Sequence, residues 1–376
     1  MPETTLIHGV QLVDDGRVVE NGWLLLAGDT ITRRGSGDTW PDADNEIDGD
    51  GALLAPGFVD IHCHGGGGHS SEDGLEAIHG LVAFQRSRGT TSIVVSLATA
   101  PLDLMLQRLA DIRTACAGDD RILGAHLEGP FLDAGHRGAH DETLLRVPTP
   151  AVVDEMLAVA GGCLRQITLA PEHASAEVLD ALLDAGVRIA VGHTSASTSQ
   201  AAYAFARGAS ILTHAFNGMP GIHHREPGPI VAALRSGATL EVIADGAHVD
   251  PAVIALLFAL APGRVALVTD AMAAAGAADG EYQLAGHTVL VRGGIARVGE
   301  HGSLAGSTLT LERAVRVAVG AGVAPAEAIR AATATPARAI GAAAGIGTLT
   351  PGAAADLVLL DPSLMVKAVW SRGKRA

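Results

Sequence analysis

An apolar run, Phe58-Val59-Asp60-Ile61, ends in His62-Cys63-His64, and four glycines follow. On a β-strand, residues i and i+2 share a face, so both imidazoles project together from one strand end. The glycines let the chain turn away at once. Such a pair is half of a metal site. Five more stretches place His, Glu or Asp just after an apolar run: His126-Leu127-Glu128, Gly192-His193-Thr194, Thr213-His214, Asp245-Gly246-Ala247-His248 and Thr269-Asp270. Imidazole and carboxylate donors without thiolates suit a catalytic divalent ion, Zn²⁺ first, with Fe²⁺ or Mn²⁺ as alternatives. Three protein ligands and an open position make the catalytic arrangement, and Glu128, His193 and His214 supply the three. His62 and His64 either hold a second ion or only shape the site, giving one or two ions per subunit. Asp270 is then free to act as general base and acid on metal-bound water, whose pKa the metal lowers. This is chemistry for hydrolysis of an amide or a related C–N bond. The only lysines are Lys367 and Lys374, so no carboxylated lysine can bridge two metals inside the chain, and Glu128 takes that place.

These residues need elements that bring six strand ends together. Strand-like segments fall at 58–63, 91–95, 122–127, 166–170, 187–191, 210–213, 240–244 and 265–269. Helical patterns lie at 75–88, 101–115, 150–160, 176–185, 197–206 and 252–260. The unit of about thirty residues is that of parallel βαβ repeats. Eight of them imply an α/β (β/α)8 TIM barrel, with its catalytic residues at the C-terminal strand ends. Short strands at 5–13, 17–26 and 30–34, and again at 355–360 and 365–370, cannot bury a core separately. Both chain termini are therefore expected to meet in a small flanking β-sandwich domain, 1–54 with 346–376, around a barrel domain at 55–345. The stretch 276–302 reads as a β-hairpin insertion beside the site mouth. Helices at 308–319 and 324–334 follow.

Composition narrows the function classes. With 376 residues, 48% hydrophobic and 18% charged, the chain is globular. A net charge of −15 argues against a nucleic-acid surface. The longest apolar run, near 253–261, is too short to span a bilayer, so no membrane partner is expected. Three widely spaced cysteines and no signal-peptide pattern point to the cytoplasm.

Several longer motifs run through the chain: Pro56-Gly57-Phe58-Val59-Asp60, His126-Leu127-Glu128-Gly129-Pro130-Phe131, Leu169-Ala170-Pro171-Glu172 and Val191-Gly192-His193-Thr194. They continue with Thr213-His214-Ala215-Phe216-Asn217-Gly218-Met219-Pro220, Arg225-Glu226-Pro227-Gly228, Ile243-Ala244-Asp245-Gly246-Ala247-His248, Leu267-Val268-Thr269-Asp270 and Leu304-Ala305-Gly306-Ser307. With them the chain resembles the amidohydrolase superfamily, and within it the branch that deacetylates phosphorylated amino sugars. The resemblance implies a homodimer and the hydrolysis of N-acetyl-D-glucosamine 6-phosphate to glucosamine 6-phosphate and acetate, in amino-sugar catabolism and cell-wall recycling. It places Glu128, His193 and His214 on the main metal and Asp270 as acid/base. It places His140, Asn217, Gly218, Arg225, His248 and Leu304 at the substrate. Members differ in the first-strand histidines, so the ion count stays open. The rival readings are a cyclic amidase or deaminase, whose substrates carry no phosphate for Arg225, and a barrel without catalysis that serves as a scaffold. His126 is expected to support the ligands, and Cys63 to face the opposite way as a core residue. His8, His69, His79, His136, His173, His287 and His301 fit no cluster.

Overall fold

The computed structural model describes residues 2–300 and 302–376; Met1 and His301 lie outside the described residues. Five strands open the chain: β1 (Thr4–Asp14), β2 (Arg17–Ala27), β3 (Thr30–Ser36), β4 (Asn45–Asp48) and β5 (Leu53–Pro56). The first barrel strand, β6 (Phe58–Cys63), follows after one residue, and a small hairpin, β7 (Gly65–Gly66) with β8 (His69–Ser70), follows it. The barrel continues through β9 (Thr90–Ala98), β10 (Ile122–Glu128), β11 (Leu164–Leu169), β12 (Arg188–Val191), β13 (Ile211–Leu212), β14 (Thr239–Ile243) and β15 (Val265–Val268). These eight strands are parallel neighbours in the order β6-β9-β10-β11-β12-β13-β14-β15. The barrel closes beyond the end of β15. There Asp270 N–H donates to His62 O and His64 N–H donates to Ala271 O, each at 2.8 Å.

Helices α1 (Leu75–Ser87), α2 (Leu102–Gly118), α3 (Pro150–Ala160), α4 (Ala176–Asp184), α5 (Thr198–Ala206), α6 (Gly228–Ser236) and α7 (Pro251–Leu260) join successive strands. Local chemistry sets several starts. Thr149, Ser175 and Asp250 cap α3, α4 and α7, and Ser197 with Gln200 forms a reciprocal capping box on α5. Helix α6 was absent from the sequence expectation because it opens on Gly228-Pro229. Proline is nevertheless well placed in a first helical turn, where its missing N–H has no partner to lose. The expected hairpin at 276–302 is instead a three-stranded antiparallel sheet, β16 (Gly280–Leu284), β17 (His287–Arg292) and β18 (Ile295–Val298). Its second tight turn is Gly293-Gly294, both at positive φ, as a two-residue hairpin turn demands. Helix α8 (Leu311–Gly320) follows. The last expected helix, 324–334, ends early as α9 (Pro325–Ala331), and a break at Thr333 separates it from a further short helix, α10 (Ala334–Ala339), that was not expected.

Strands β19 (Leu357–Leu360), β20 (Val366–Ser371) and β21 (Lys374–Arg375) return to the N-terminal strands in one sheet ordered β21-β20-β19-β5-β1-β2-β3, with β4 also on β1. The sheet curls until its far edge meets the chain just before β19. Ile31 N–H donates to Ala353 O at 2.9 Å, and Ala355 N–H to Asp29 O at 2.8 Å. Inside the curl lie Ile7, Leu24, Leu26, Ile31, Leu54, Leu357 and Trp370. On the opposite face Leu6, Trp23 and Leu25 pack with Trp40. Strand β5 belongs to this sheet and β6 to the barrel, so Gly57 is the join.

Candidate metal centre and active site

Strand-end residues converge on one cavity of about 240 Å³ at the C-terminal mouth of the barrel. His64, Glu128, His140, His193, His214 and Asp270 line it on the barrel side, with Asn217, Gly218 and His248 from the loops. Leu284 and Ala285 at the β16–β17 turn, and Leu304 beyond β18, form the facing wall.

Glu128 stands at the centre of the cluster. Its Oε1 lies 3.0 Å from His193 Nε2 and 3.0 Å from His214 Nε2, and those two nitrogens are 3.0 Å apart. Its Oε2 lies 3.2 Å from His64 Nε2 and 3.5 Å from His140 Nε2. His62 Nε2 is 3.2 Å from His64 Nε2 and 3.4 Å from Glu128 Oε1. Asp270 Oδ1 is 3.5 Å from both first-strand nitrogens. The donors thus form two overlapping groups that share Glu128: His193 with His214, and His62 with His64 and Asp270.

The backbone bends to achieve this. His193, His214, Phe216 and Asp270 adopt φ values of +45°, +24°, +79° and +47°. Left-handed conformations are uncommon outside glycine and cluster at functional sites. Two glycines make room. A Cβ on Gly192 would lie 2.7 Å from Thr213 Cβ, and one on Gly218 would lie 2.9 Å from His193 Nδ1.

Hydrogen bonds behind the rings fix which nitrogen faces the other donors of the cluster. His193 Nδ1 donates to His136 O at 2.8 Å, and His62 Nδ1 donates to Glu241 Oε2 at 3.1 Å. Their Nε2 atoms therefore present lone pairs to one another's neighbours and to carboxylate oxygens. Lone pairs crowded this closely repel unless a proton or a cation sits among them. The donor set fits a divalent ion of the zinc, iron or manganese type, with every protein ligand nitrogen or oxygen. Charge reflects the same crowding. Burial works against the charged form of His62, but Glu128 and Asp270 override it and hold its pKa well above the usual imidazole value. Burial pushes Glu128 up, yet the surrounding imidazoles bring it well below the usual carboxylate range.

His126 packs edge-on against His62, ring centroids 4.5 Å apart, but its nitrogens bond outside the cluster, to Ser96 Oγ at 2.9 Å and Thr168 Oγ1 at 2.8 Å, and burial keeps its pKa well below the usual value. Cys63 is buried, with its thiol on Gly65 O. His140 is oriented by Thr99 Oγ1 at 2.9 Å and His248 by Asp245 Oδ2 at 2.7 Å. Arg225 is not among the residues that line the cavity. It sits on the exposed loop before α6, its side chain in no ion pair among the described residues.

Four supporting residues were given no role from sequence. Glu241 is one. Glu172 accepts from Thr194 Oγ1 at 2.5 Å and Ser195 N–H at 2.6 Å, bracing the turn after His193. Asp60 accepts from Thr269 Oγ1 at 2.5 Å and ties β6 to the end of β15; burial pushes its pKa up to about 6. His136 supplies the carbonyl that holds His193. A charged residue inside an apolar strand was the available signal for Glu241. For His136 there was none, since its part is played by the backbone.

A parallel eight-stranded barrel with acidic and imidazole donors at its C-terminal mouth defines a class of barrel hydrolases with a candidate divalent-metal centre. The model of the amidohydrolase family matches residues 53–376, and the chain belongs to that family. An N-acetylgalactosamine-6-phosphate deacetylase of Escherichia coli O157:H7 is 41% identical over 334 residues, 87% of this chain and 88% of that protein. An N-acetylglucosamine-6-phosphate deacetylase of Bacillus subtilis (strain 168) is 34% identical over 84% of this chain and 82% of its own. Among solved structures, a mutant N-acetyl-D-glucosamine-6-phosphate deacetylase of Mycobacterium smegmatis, in complex with N-acetyl-D-glucosamine 6-phosphate, is 37% identical. It superposes over 99% of both chains with a TM-score of 0.95.

Proposed function

We propose that this protein hydrolyses N-acetyl-D-glucosamine 6-phosphate to D-glucosamine 6-phosphate and acetate, as an amidohydrolase of amino-sugar metabolism. The full-length likeness to the Mycobacterium smegmatis complex carries the substrate, and the strand-end cluster carries the chemistry. The likeness to named sugar-phosphate deacetylases disfavours a cyclic amidase or deaminase, and the intact donor set disfavours an inert scaffold.

Glu128, His193 and His214 would hold the main ion, and His62, His64 and Asp270 a second one. Zn²⁺ is the preferred ion, with Fe²⁺ or Mn²⁺ as alternatives. A divalent ion there polarises an amide carbonyl and makes water acidic enough to attack near neutral pH. Asp270 faces the cavity, its backbone N–H held by His62 O at 2.8 Å and its carbonyl by Ser307 N–H at 2.7 Å. In the proposed reaction Asp270 accepts the proton of the attacking water as its oxygen adds to the acetamide carbon. Asp270 then returns that proton to the sugar nitrogen as the C–N bond breaks, which frees the amine and acetic acid, and the acid ionises to acetate by giving its proton to the amine or to water. His140, Asn217, Gly218, His248 and Leu304, which line the cavity, would contact the sugar. Arg225, with no carboxylate of its own, is the proposed phosphate partner, since a guanidinium holds phosphate oxygens through paired charge-assisted bonds. No helix among the described residues is long and apolar enough to cross a membrane. All three cysteines are free thiols, which fits a reducing, cytoplasmic setting, and a homodimer is the proposed assembly.

The relative at 41% identity favours a second reading, the 4-epimer N-acetylgalactosamine 6-phosphate. Acetate release from each sugar phosphate by metal-loaded protein, beside a chelator-treated control, decides between them. Faster turnover of the galactose epimer would transfer the assignment. Equal rates with and without chelator would overturn the metal-dependent reading.

A further inference from the structure

Glu241 lies on β14 with its side chain fully buried. Burying a carboxylate is costly unless its lone pairs are engaged. Three donors meet this one. Its Oε1 accepts from Gln166 Nε2 at 2.7 Å. Its Oε2 accepts from His62 Nδ1 at 3.1 Å and from the backbone N–H of His214 at 3.3 Å. An ionised carboxylate can only accept, so it keeps the proton of His62 on Nδ1 and leaves Nε2 free to ligate. The two first-strand imidazoles differ in this respect. His64 Nδ1 is buried without a hydrogen-bond partner among the described residues, so its ring has no such restraint.

We propose that Glu241 is the positioning residue of the second ion. It holds His62 in the tautomer and orientation that complete the His62, His64, Glu128 and Asp270 group, and so determines whether one ion or two are bound. This rests on the reading of the strand-end cluster as a divalent-metal centre. Removing such an outer partner typically weakens metal affinity about 10- to 100-fold. The main ion should be spared, because Glu241 touches the backbone of His214 and not its ring.

The test compares Zn²⁺ binding to wild type, Glu241→Gln, His62→Ala and the double variant, by calorimetry and by metal content per subunit after dialysis. Glutamine keeps the shape. Gln166 Oε1 has no partner among the described residues, so its amide can turn over and accept from the new NH2. The oxygen left facing His62 Nδ1 is then a neutral amide, which holds that N–H more weakly than a carboxylate and no longer raises the basicity of the ring as a ligand. Two ions are expected in wild type. In Glu241→Gln one dissociation constant should rise about 10- to 100-fold and the other stay within about twofold. In the His62→Ala background, Glu241→Gln should leave the single remaining ion unchanged. Equal weakening of both ions, no weakening of either, or a further loss in the His62→Ala background would overturn the proposal. One measurement needs no variant. Imidazole ¹⁵N spectra of the metal-free wild type at alkaline pH should show His62 as the Nδ1–H tautomer, and an Nε2–H tautomer would overturn it. A wild type that takes up one ion or none fails the two-ion reading first, and this proposal with it. Two ions in wild type with an indifferent Glu241→Gln fails Glu241 alone.

Discussion

The terminal sheet and the barrel each enclose an interior, and the two are built on opposite terms. Within the curled sheet, Ile7, Leu24, Leu26, Ile31, Leu54 and Leu357 meet almost without a polar atom. Beneath the barrel's cavity, Asp60, His62, Ser96, His126, Gln166, Thr168, Thr213, Glu241 and Thr269 are all buried and bond to one another in two chains, Ser96–His126–Thr168–Thr213 and Gln166–Glu241–His62–Asp60–Thr269. Apolar packing is non-directional, so many side chains of similar volume satisfy it. A buried polar network fixes direction and partner for each member, and losing one partner strands another. Backbone strain divides the same way. In the terminal sheet, Asp15 takes positive φ at the β1–β2 turn, where a tight reversal requires it. In the barrel, His193, His214 and Asp270 take it at strand ends, where it aims a side chain.

The contrast breaks most sharply at Asp270. Asp270→Asn keeps the size of the side chain and tolerates the left-handed backbone. It should lower kcat by about 10²- to 10⁴-fold, with substrate still bound and the melting temperature little changed. A variant with near-normal kcat and a raised KM would move Asp270 from proton transfer to binding.

Leu24→Ala should do the reverse. Leu24 is fully buried in the sheet core, and such truncations cost about 2–5 kcal/mol. Denaturant unfolding should register that loss while kcat of the remaining folded protein stays at the wild-type value. A fall in kcat would mean that the sheet and the cavity are mechanically linked.

Arg225 sharpens the comparison within the barrel itself. It stands on the exposed loop, outside the polar network, so its removal should not affect folding. Arg225→Met should cut kcat/KM for the phosphorylated sugar by about 10²-fold, the loss of one or two charge-assisted hydrogen bonds. The slow rate on the unphosphorylated sugar should hold, and Arg225→Lys should restore part of the loss. Equal losses on both sugars would remove phosphate from its role.

The smallest effect belongs to an ordinary ion pair far from either interior. Burial alone would raise the pKa of Asp119, but Arg86 at 2.7 Å and the backbone N–H of Arg121 bring it below the usual value. A depressed acid contributes stability above its unfolded pKa, near 3.9, and that contribution fades as pH falls through the lower folded value. Asp119→Asn should therefore flatten the acid limb of the stability–pH curve slightly and leave neutral-pH activity alone. An unchanged acid limb would show that the pair contributes nothing measurable.

Much of the site was legible because its signals are local. A strand's side chains alternate with period two, so His62 with His64 and His126 with Glu128 announce a shared face from sequence alone. Apolar runs ending in such residues, repeated about every thirty positions, define the parallel barrel and the end that carries chemistry. The scarcity of lysine likewise left Glu128 as the carboxylate to expect between two ions. Partnership across the barrel was not legible. Glu241 and His62 are 179 residues apart and meet only because β15, which separates β14 from β6, closes the ring. The curl that brings Ile31 to Ala353, the third strand after Gly293-Gly294 and the exposed place of Arg225 were equally beyond reach. Periodicity tells which way a side chain points from its own strand. Which groups it then meets depends on strand order, closure and loop path, and those are properties of the whole packed chain.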